Sequence, residues 1–245
     1  MLGDFRGQFT AAYNTWHGAD MDMDVEESAF LRSLCSSRRF ILTTNRRSDA
    51  ALFDFYAPIC RGGAREHAPI QELLAEARLR FPLVGSSEEV DWHLCISNKA
   101  RIAINRQVNE HQAACYEATT GLPALVLDPP EKSNLQQEIR LFPGLVLVGN
   151  ATEDGVKNGV FYRVVEIAET KVTLQLMDTD ETIKVWLDKI TTRLRPAAAL
   201  TYFSSQGRTL KGHVRLLDTK CKHFSKRHLA VGVGRATGAR LVQVA

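Results

Sequence analysis

The sequence predicts an α/β protein with a parallel sheet covered by helices on both faces, plus a small inserted antiparallel β-barrel. Short apolar stretches with strand character alternate with amphipathic helical stretches, and this alternation predicts the parallel sheet. Several short strands separated by turn residues, between about residues 135 and 195, predict the barrel. With 245 residues, 44% of them hydrophobic, the chain can bury one large core or two smaller ones.

The first half of the chain contains two strand-then-helix steps. Residues 40–44 predict a buried strand, and residues 48–60 carry apolar side chains at helical spacing. Residues 92–96 predict the next strand, and residues 99–115 predict an amphipathic helix. We expect flexible loops at residues 61–68 and 128–134, since polar residues and glycine or proline concentrate there.

The pattern changes to short strands in the middle of the chain and then returns to α/β. Turn residues at Asn158-Gly159 and at 178–180 separate the middle strands. The organisation we predict is therefore a first α/β part at 1–134, a β insertion at 135–195 and the remaining α/β part at 196–245. The strands of the insertion are expected at 145–148, 160–165, 172–176 and 182–186. After the insertion, we expect strands at 198–202, 214–217 and 240–244 and a helix at 225–233.

Charge is distributed unevenly along the chain. The net charge is +3, but residues 199–245 contain nine Lys and Arg against the single acid Asp218. A locally basic surface of this kind is typical of proteins that bind polyanions.

The five cysteines are scattered without a C-x-x-C pair, which indicates a reducing intracellular compartment such as cytoplasm or nucleus. Nothing in the sequence predicts secretion or a membrane span.

Two motifs near the end of the chain carry a specific resemblance. Residues 201–210 read TYFSSQGRTL and residues 228–237 read HLAVGVGRAT. The pair resembles motifs V and VI of superfamily 1 helicases of the UvrD/RecD type, in the family's order. The resemblance implies that Arg235 reaches the γ-phosphate of ATP bound by another domain.

Earlier segments resemble further motifs of the same family. Residues 2–8, LGDFRGQ, are similar to motif III with one extra residue before Gln8, and residues 42–49, LTTNRRSD, are similar to motif IV with Arg47 at the phosphate-contacting position. Residues 96–105 and 155–159 resemble the family's N-x-x-V-x-x-I-N element and its N-G turn. The matches run from nearly the first residue to nearly the last.

The chain lacks the Walker A sequence G-x-x-x-x-G-K-[ST], whose backbone and lysine cradle the phosphates of ATP. The resemblance therefore implies the second, C-terminal RecA-like domain of a P-loop NTPase-type motor, with an SH3-like insertion. ATP and Mg²⁺ would be held only together with a separate N-terminal domain that carries Walker A, in cis or in trans.

Candidate site residues follow from the resemblance and from side-chain chemistry. Arg235, Arg47 and Gln8 are expected to sense the γ-phosphate, while Gln206 and Gly207 are expected to approach the nucleotide. A solvated arginine or an ordinary polar turn is the structural alternative for each. The residues expected to contact single-stranded DNA, with RNA possible, are Asn98, Asn158, Thr201, Ser205, Thr209 and Lys211, beside a basic run of Arg208, Arg215, Lys220, Lys222, Lys226 and Arg227.

No metal site is predicted. Residues 20–24 begin like a calcium loop, but Val25 stands where glycine is required. Cys221, His223 and His228 offer too few ligands at poor spacing for zinc.

Two functional hypotheses remain open from the sequence. The first is the C-terminal half of an ATP-dependent DNA helicase that has no ATPase activity on its own. The second is a degenerate helicase remnant that only binds nucleic acid or a replication protein, because the family's His and Lys of motif V are Phe203 and Ser204 here and glycines interrupt motif VI.

Overall fold

A four-stranded parallel sheet forms the first part of the fold. The computed structural model describes residues 29–34, 38, 45–60, 64–86, 89–129 and 137–245. The strand order is β11-β10-β1-β9, and every neighbouring pair is parallel. The predicted parallel sheet is therefore confirmed. Its strands are β1 (Trp92–Cys95), β9 (Ala199–Thr201), β10 (Val214–Leu216) and β11 (Val242–Val244).

Three helices cover one face of this sheet. In register across the strands, Leu94, Leu216 and Val244 point to one core. Phe55 and Leu229 pack into the same core from the helices. Alternating side chains of a strand point to opposite faces, so the apolar residues at every second position form this layer. The helices are α2 (Ala50–Cys60), α4 (Ile70–Arg80) and α7 (Lys226–Val233).

The opposite positions of the same strands are polar and buried. His93, Arg215 and Gln243 are in register, and Arg215 donates two hydrogen bonds to Gln243 Oε1 at 2.9 and 2.7 Å. Arg215 also donates to the backbone carbonyls of residues 84–86. Arg215 was included in the basic run expected at the surface, and the structure corrects this, because the strand period turns its side chain inward.

The chain between β1 and β9 forms a second sheet, with five antiparallel strands in the order β7-β6-β5-β4-β8. It has its own apolar core, which includes Leu147, Tyr162, Val172 and Leu174. A register shift between Val164 and Glu166 marks a β-bulge. The strands are β4 (Val146–Gly149), β5 (Phe161–Ile167), β6 (Lys171–Leu176), β7 (Thr182–Trp186) and β8 (Leu194–Pro196), and the short helix α6 (Ile190–Arg193) precedes β8.

The long helix α5 (Asn98–Thr120) connects the two parts through two buried asparagines. Asn105 accepts from the amide of Ala199 at 2.7 Å and donates to the carbonyl of Ala199 at 3.2 Å. One turn later, Asn109 forms the same pair of bonds with Arg140, at 2.8 and 2.9 Å. Ala199 lies in the edge strand β9, and Arg140 lies in β3 (Ile139–Leu141), which pairs with β2 (Leu125–Leu127). Each side-chain amide therefore takes the place of a neighbouring strand.

Some boundaries differ from the expectations. Residues 61–68 were predicted to form a loop, but they include the short helix α3 (Ala64–His67). Arg65 in this helix makes an ion pair with Glu76 at 2.7 Å and lies over the ring of Phe55. Helix α5 also runs past the expected end at Cys115 and stops at Gly121, whose φ of 72° suits glycine. The predicted strand at 40–44 lies outside the described residues. The remaining α-helix of the described residues is α1 (Ala29–Leu34).

Candidate nucleotide and nucleic-acid interface

The loop that follows β9 is held by its own side chains. Thr201 Oγ1 and Ser204 Oγ are 3.0 Å apart, and Ser205, which is buried, donates to the carbonyl of Tyr202 at 2.8 Å. Gly207 has a φ of 75°, which allows the chain to turn at the loop tip. The amide Nε2 of Gln206 is buried and has no hydrogen-bond partner. A buried donor without a partner is rare, and it marks Gln206 as a candidate for binding a ligand.

Helix α7 delivers Arg235 to the same loop. Ser225 and His228 form a capping box at the start of the helix. A Cβ at Gly232 would lie 2.8 Å from Leu216 Cδ2 and 2.9 Å from Tyr202 Cε1. The glycine therefore lets the helix approach the sheet closely, so a packing requirement accounts for a glycine at this position of α7.

Arg235 itself is 5% exposed. Its Nε donates to the carbonyl of Val231 at 3.1 Å, and its Nη1 donates to the carbonyl of Arg208 at 3.3 Å. The first bond comes from its own helix and the second from the loop after β9, so the guanidinium is held between the two motifs. A solvated arginine at the end of a helix, which was the structural alternative, does not describe this geometry.

The backbone joins the two motifs as well. The amide of Leu210 donates to the carbonyl of Arg235 at 2.8 Å, and Leu210 and Ala236 form a parallel β-bridge. The loop after β9 and the end of α7 therefore form one unit.

A third segment, residues 45–49, lies against this unit. Arg47 Nη1 donates to the carbonyl of Gly234 at 3.4 Å, across 187 positions of sequence. The amide of Asp49 donates to the carbonyl of Thr237 at 3.1 Å, and Asp49 Oδ2 accepts from the amide of Ala239 at 2.8 Å. The structure thus brings Arg47 and Arg235 to the same neighbourhood. Gln8 lies outside the described residues.

The residues expected to contact nucleic acid occupy several positions. Asn98 and Thr201 follow or end the neighbouring strands β1 and β9, whose carboxyl ends lie side by side. Thr209 and Lys211 are exposed on the way from the loop to β10. Asn158 is exposed on a turn of the second sheet. The hydroxyl of Ser205 supports the loop from inside.

The turn at Asn158 is linked to the loop after β9 by Arg208. Its Nε donates to the carbonyl of Ser204 at 2.7 Å, its Nη1 donates to the carbonyl of Gly159, and its guanidinium lies 5.0 Å from the ring centre of Phe161. Phe161 in turn contacts Trp92 of β1, with ring centres 4.9 Å apart. The second sheet is therefore anchored to the parallel sheet beside the candidate site.

Two arginines near this junction were not among the sequence candidates. Burial, together with the positive charges of Arg101 and Arg208, lowers the pKa of Arg195 to about 10. Burial also lowers the pKa of Arg101 and of Arg208. Arg101 lies three residues after Asn98 on the same helix, a spacing that places the two side chains on one face. Nothing in the sequence pattern indicates Arg195.

Buried titratable groups next to β1 are unsuited to nucleophilic chemistry. Burial, together with the charge of Asp218, raises the pKa of the Cys95 thiol to about 12. Burial and Asp218 also raise the pKa of Tyr202, whose hydroxyl donates to the carbonyl of Leu217 at 2.8 Å. Cys95 is therefore a protonated, inert thiol at neutral pH.

Within the parts of the chain that the structure describes, no group of three or more His, Cys, Asp or Glu side chains could hold a metal ion. A search of the same residues finds no helix with both the length and the apolar character needed to cross a bilayer.

Solved structures with the same fold are helicases. The chain superimposes on a Bacteroides Pif1 bound to single-stranded DNA with a TM-score of 0.57, at 18% identity over 83% of this chain and 50% of that one. A Bacteroides Pif1 in complex with ADP-AlF3 and single-stranded DNA gives a TM-score of 0.53, at 16% identity over 83% and 51%. The Pif1 helicase from Candida albicans gives 0.50, at 19% identity over 80% and 53%. The chain has a helicase-like fold.

At this level of identity the likeness concerns the fold, and the chain spans about half the length of these helicases. Neither the models of protein families nor the curated protein sequences give a match.

Proposed function

We propose that this chain is the C-terminal half of an ATP-dependent superfamily 1 DNA helicase. In this proposal, residues 1–134 and 196–245 form the second RecA-like domain, and residues 135–195 form an SH3-like insertion. The helicase-like fold, the order of the motifs and the five-stranded antiparallel sheet all support this assignment. ATP and Mg²⁺ would be held by a separate domain with Walker A.

The convergence of three distant segments is the observation that carries the proposal. Arg47, Arg235 and the loop with Gln206 lie in one neighbourhood, although they are far apart in the sequence. Phosphoryl transfer depends on positioning and on stabilising negative charge, and an arginine supplied by a second domain is worth roughly 10³–10⁵ in rate. A rigid arginine serves this purpose best, and the carbonyls of Val231 and Arg208 fix the plane of the Arg235 guanidinium.

Gln206 has a complementary role in the proposal. A primary amide both donates and accepts, so Gln206 could bind a phosphate oxygen or orient the attacking water. Its unpartnered Nε2 supports this role, because a ligand oxygen would satisfy it. Gly207 leaves the backbone open for close approach.

The nucleic-acid track in this proposal follows the carboxyl ends of β1 and β9. Ligands of open parallel sheets bind at these ends. Asn98 and Thr201 would donate to backbone phosphates there, Thr209 and Lys211 would extend the track, and Asn158 would reach it from the second sheet. Single-stranded DNA is the expected ligand, and single-stranded RNA is the alternative. Ser205 would keep the loop in shape.

The test requires the Walker A domain, sought in the DNA upstream or in a neighbouring reading frame. The chain alone should show no ATPase activity, whereas the chain fused to that domain should hydrolyse ATP when single-stranded DNA is added. Arg235→Lys in the fusion should remove most of this activity while strand binding persists, because lysine keeps the charge but loses the planar fork that engages phosphate oxygens.

The matched control is Arg240→Lys, since Arg240 is exposed on the surface beyond the same motif. This variant should keep the activity of the fusion. A fusion with Arg235→Lys that hydrolyses ATP as fast as its parent would contradict the motor assignment. Strand binding without any ATPase in the fusion would favour the non-enzymatic remnant that binds nucleic acid or a replication protein.

A further inference from the structure

Three arginines from different elements, at the junction of α5, the second sheet and the loop after β9, lie close enough for the charges of Arg101 and Arg208 to act on Arg195. Arg101 lies in the first turn of α5, Arg195 lies in β8, and Arg208 ends the loop. Arg195 is in register with Val148, which is in register with Phe161. Cross-strand partners share one face of a sheet, so Arg195 and the Phe161 ring that Arg208 covers lie on the same face.

The side chains of Arg195 and Arg208 donate hydrogen bonds to uncharged groups. Arg195 Nη1 donates to Asn150 Oδ1 at 2.8 Å, and Arg208 donates to the carbonyls of Ser204 and Gly159. In the part of the chain that the structure describes, no carboxylate lies within ion-pair distance of Arg195 or Arg208.

Arg101 connects the junction to two further polar side chains. It donates from Nε to Asn98 Oδ1 at 3.2 Å and from Nη1 to Gln137 Oε1 at 3.4 Å. Gln137 is 6% exposed, and its Nε2 has no hydrogen-bond partner. The Nε of Arg195 is likewise buried without a partner.

Positive charges and unsatisfied donors together describe a site for an anion. An arginine at a partly buried position, such as Arg195 or Arg208, is normally paired with a carboxylate, because an unpaired charge away from water is costly. Burial lowers the pKa of Arg195, and the neighbouring charges of Arg101 and Arg208 contribute to the same lowering, so an anion here would relieve both costs. The N-terminus of the 23-residue helix α5, capped by Ser97, adds a favourable field for negative charge at the same end as Arg101.

We infer that Arg195, Arg208 and Arg101, together with the amide of Gln137, bind a phosphate group at this junction. Guanidinium groups engage phosphate oxygens through paired hydrogen bonds, and the amide supplies another donor. The inference rests on the proposed function, in which the phosphate belongs to the backbone of single-stranded nucleic acid. It makes the second sheet part of the track, since Arg195 lies on β8. Free phosphate offers the same chemistry, and the experiment separates the two sources.

The test measures binding of a labelled oligothymidylate to the full chain by fluorescence anisotropy over a range of salt concentrations. Arg195→Gln should weaken binding by about 10-fold at low salt. It should also flatten the plot of log affinity against log salt by about 0.7, the contribution of one phosphate contact. Arg195→Lys should keep the salt slope, because the charge remains, and lose part of the affinity, because the fork is lost.

Arg106→Gln is the matched control, since Arg106 lies on α5 but is exposed, and it should leave both quantities unchanged. Circular dichroism and thermal unfolding check the fold. Removing one of several like charges should leave the melting temperature of Arg195→Gln equal to that of the wild type or higher. If this variant fails to fold, Arg195→Lys and Arg101→Gln provide the same comparison.

Each result decides between the proposals. Tight binding by the wild type with an unchanged slope in Arg195→Gln would overturn the phosphate site and leave the proposed function intact. Absence of oligonucleotide binding by the wild type would instead overturn the proposed nucleic-acid track. In that case, inorganic phosphate that raises the melting temperature of the wild type but not of Arg195→Gln would support a site for the free ion. No shift in either protein would overturn the site as well.

Discussion

Replacing Asn105 by alanine should destabilise the protein far more than the loss of one small polar side chain from a helix. Asn105 is fully buried, and its amide satisfies both the N–H and the C=O of Ala199 in the edge strand β9. Asn105→Ala leaves both backbone groups without partners in an interior position. Each such group costs about 1–3 kcal/mol, so the loss of two partners should lower the free energy of unfolding by about 2–6 kcal/mol.

Urea unfolding followed by circular dichroism measures this change, and thermal unfolding should show a melting temperature lower by roughly 4–24 °C. Asn109→Ala should cost a similar amount, because Asn109 makes the same two bonds to Arg140. Glu110→Ala, on the exposed side of the same helix, should change stability by no more than about 0.5 kcal/mol. An Asn105→Ala protein as stable as Glu110→Ala would refute the view that a side-chain amide completes the edge of the sheet.

Three further predictions follow from packing and burial. Gly232→Ala should lower the melting temperature, because its methyl group would lie 2.8 Å from Leu216 Cδ2. Such crowding costs about 1–3 kcal/mol, which exceeds the ~1 kcal/mol that alanine gains in helix propensity. A higher melting temperature would contradict this packing. Alkylation at about pH 8, mapped by peptide mass spectrometry, should modify the exposed Cys115 and Cys221 and spare Cys95 until urea is added. The reason is that Cys95 is buried and its pKa is raised to about 12. Modification of Cys95 before urea is added would disprove its protection. Burial lowers the pKa of His228 below its ordinary 6.5. Between the folded-state pKa and 6.5, the unfolded chain binds a proton that the folded protein does not. The free energy of unfolding therefore decreases as the pH falls from 6.5 to the folded-state pKa. The urea midpoint should consequently drop more between about pH 7.5 and pH 5.5 in the wild type than in His228→Gln, and equal drops would rule out this contribution.

Part of the secondary structure of the described regions was predictable because its signals are local, whereas α4, β2 and β3 were not predicted. Strands β1, β6 and β7 and the helices around residues 50–60 and 98–120 follow from apolar residues at the spacing of a strand or a helix. The short helix at Ala64–His67 was missed because four residues carry no readable period. Its ion pair with Glu76 and its contact with Phe55 exist only after packing.

The candidate site was predictable in its residues but not in its arrangement. The order of the motifs along the chain indicated Arg47, Gln206 and Arg235 as partners of a nucleotide. Their roles stay predictions, although the described residues meet as that hypothesis requires. Nothing in the sequence indicated that Arg208 would join the loop after β9 to the second sheet. Nor did it indicate that Arg195 would lie close enough to Arg208 for the charge of Arg208 to lower the pKa of Arg195.

The sequence by itself determined the α/β class, the change of period in the middle of the chain and the motifs that resemble a helicase. These are properties of neighbouring residues, and each is written into a short stretch of the chain. Only the tertiary structure decided that Asn105 completes the edge of β9, that Arg215 points inward and that Arg101, Arg195 and Arg208 converge. Such contacts join residues far apart in sequence, and their positions depend on how whole helices and sheets bury their apolar faces against one another.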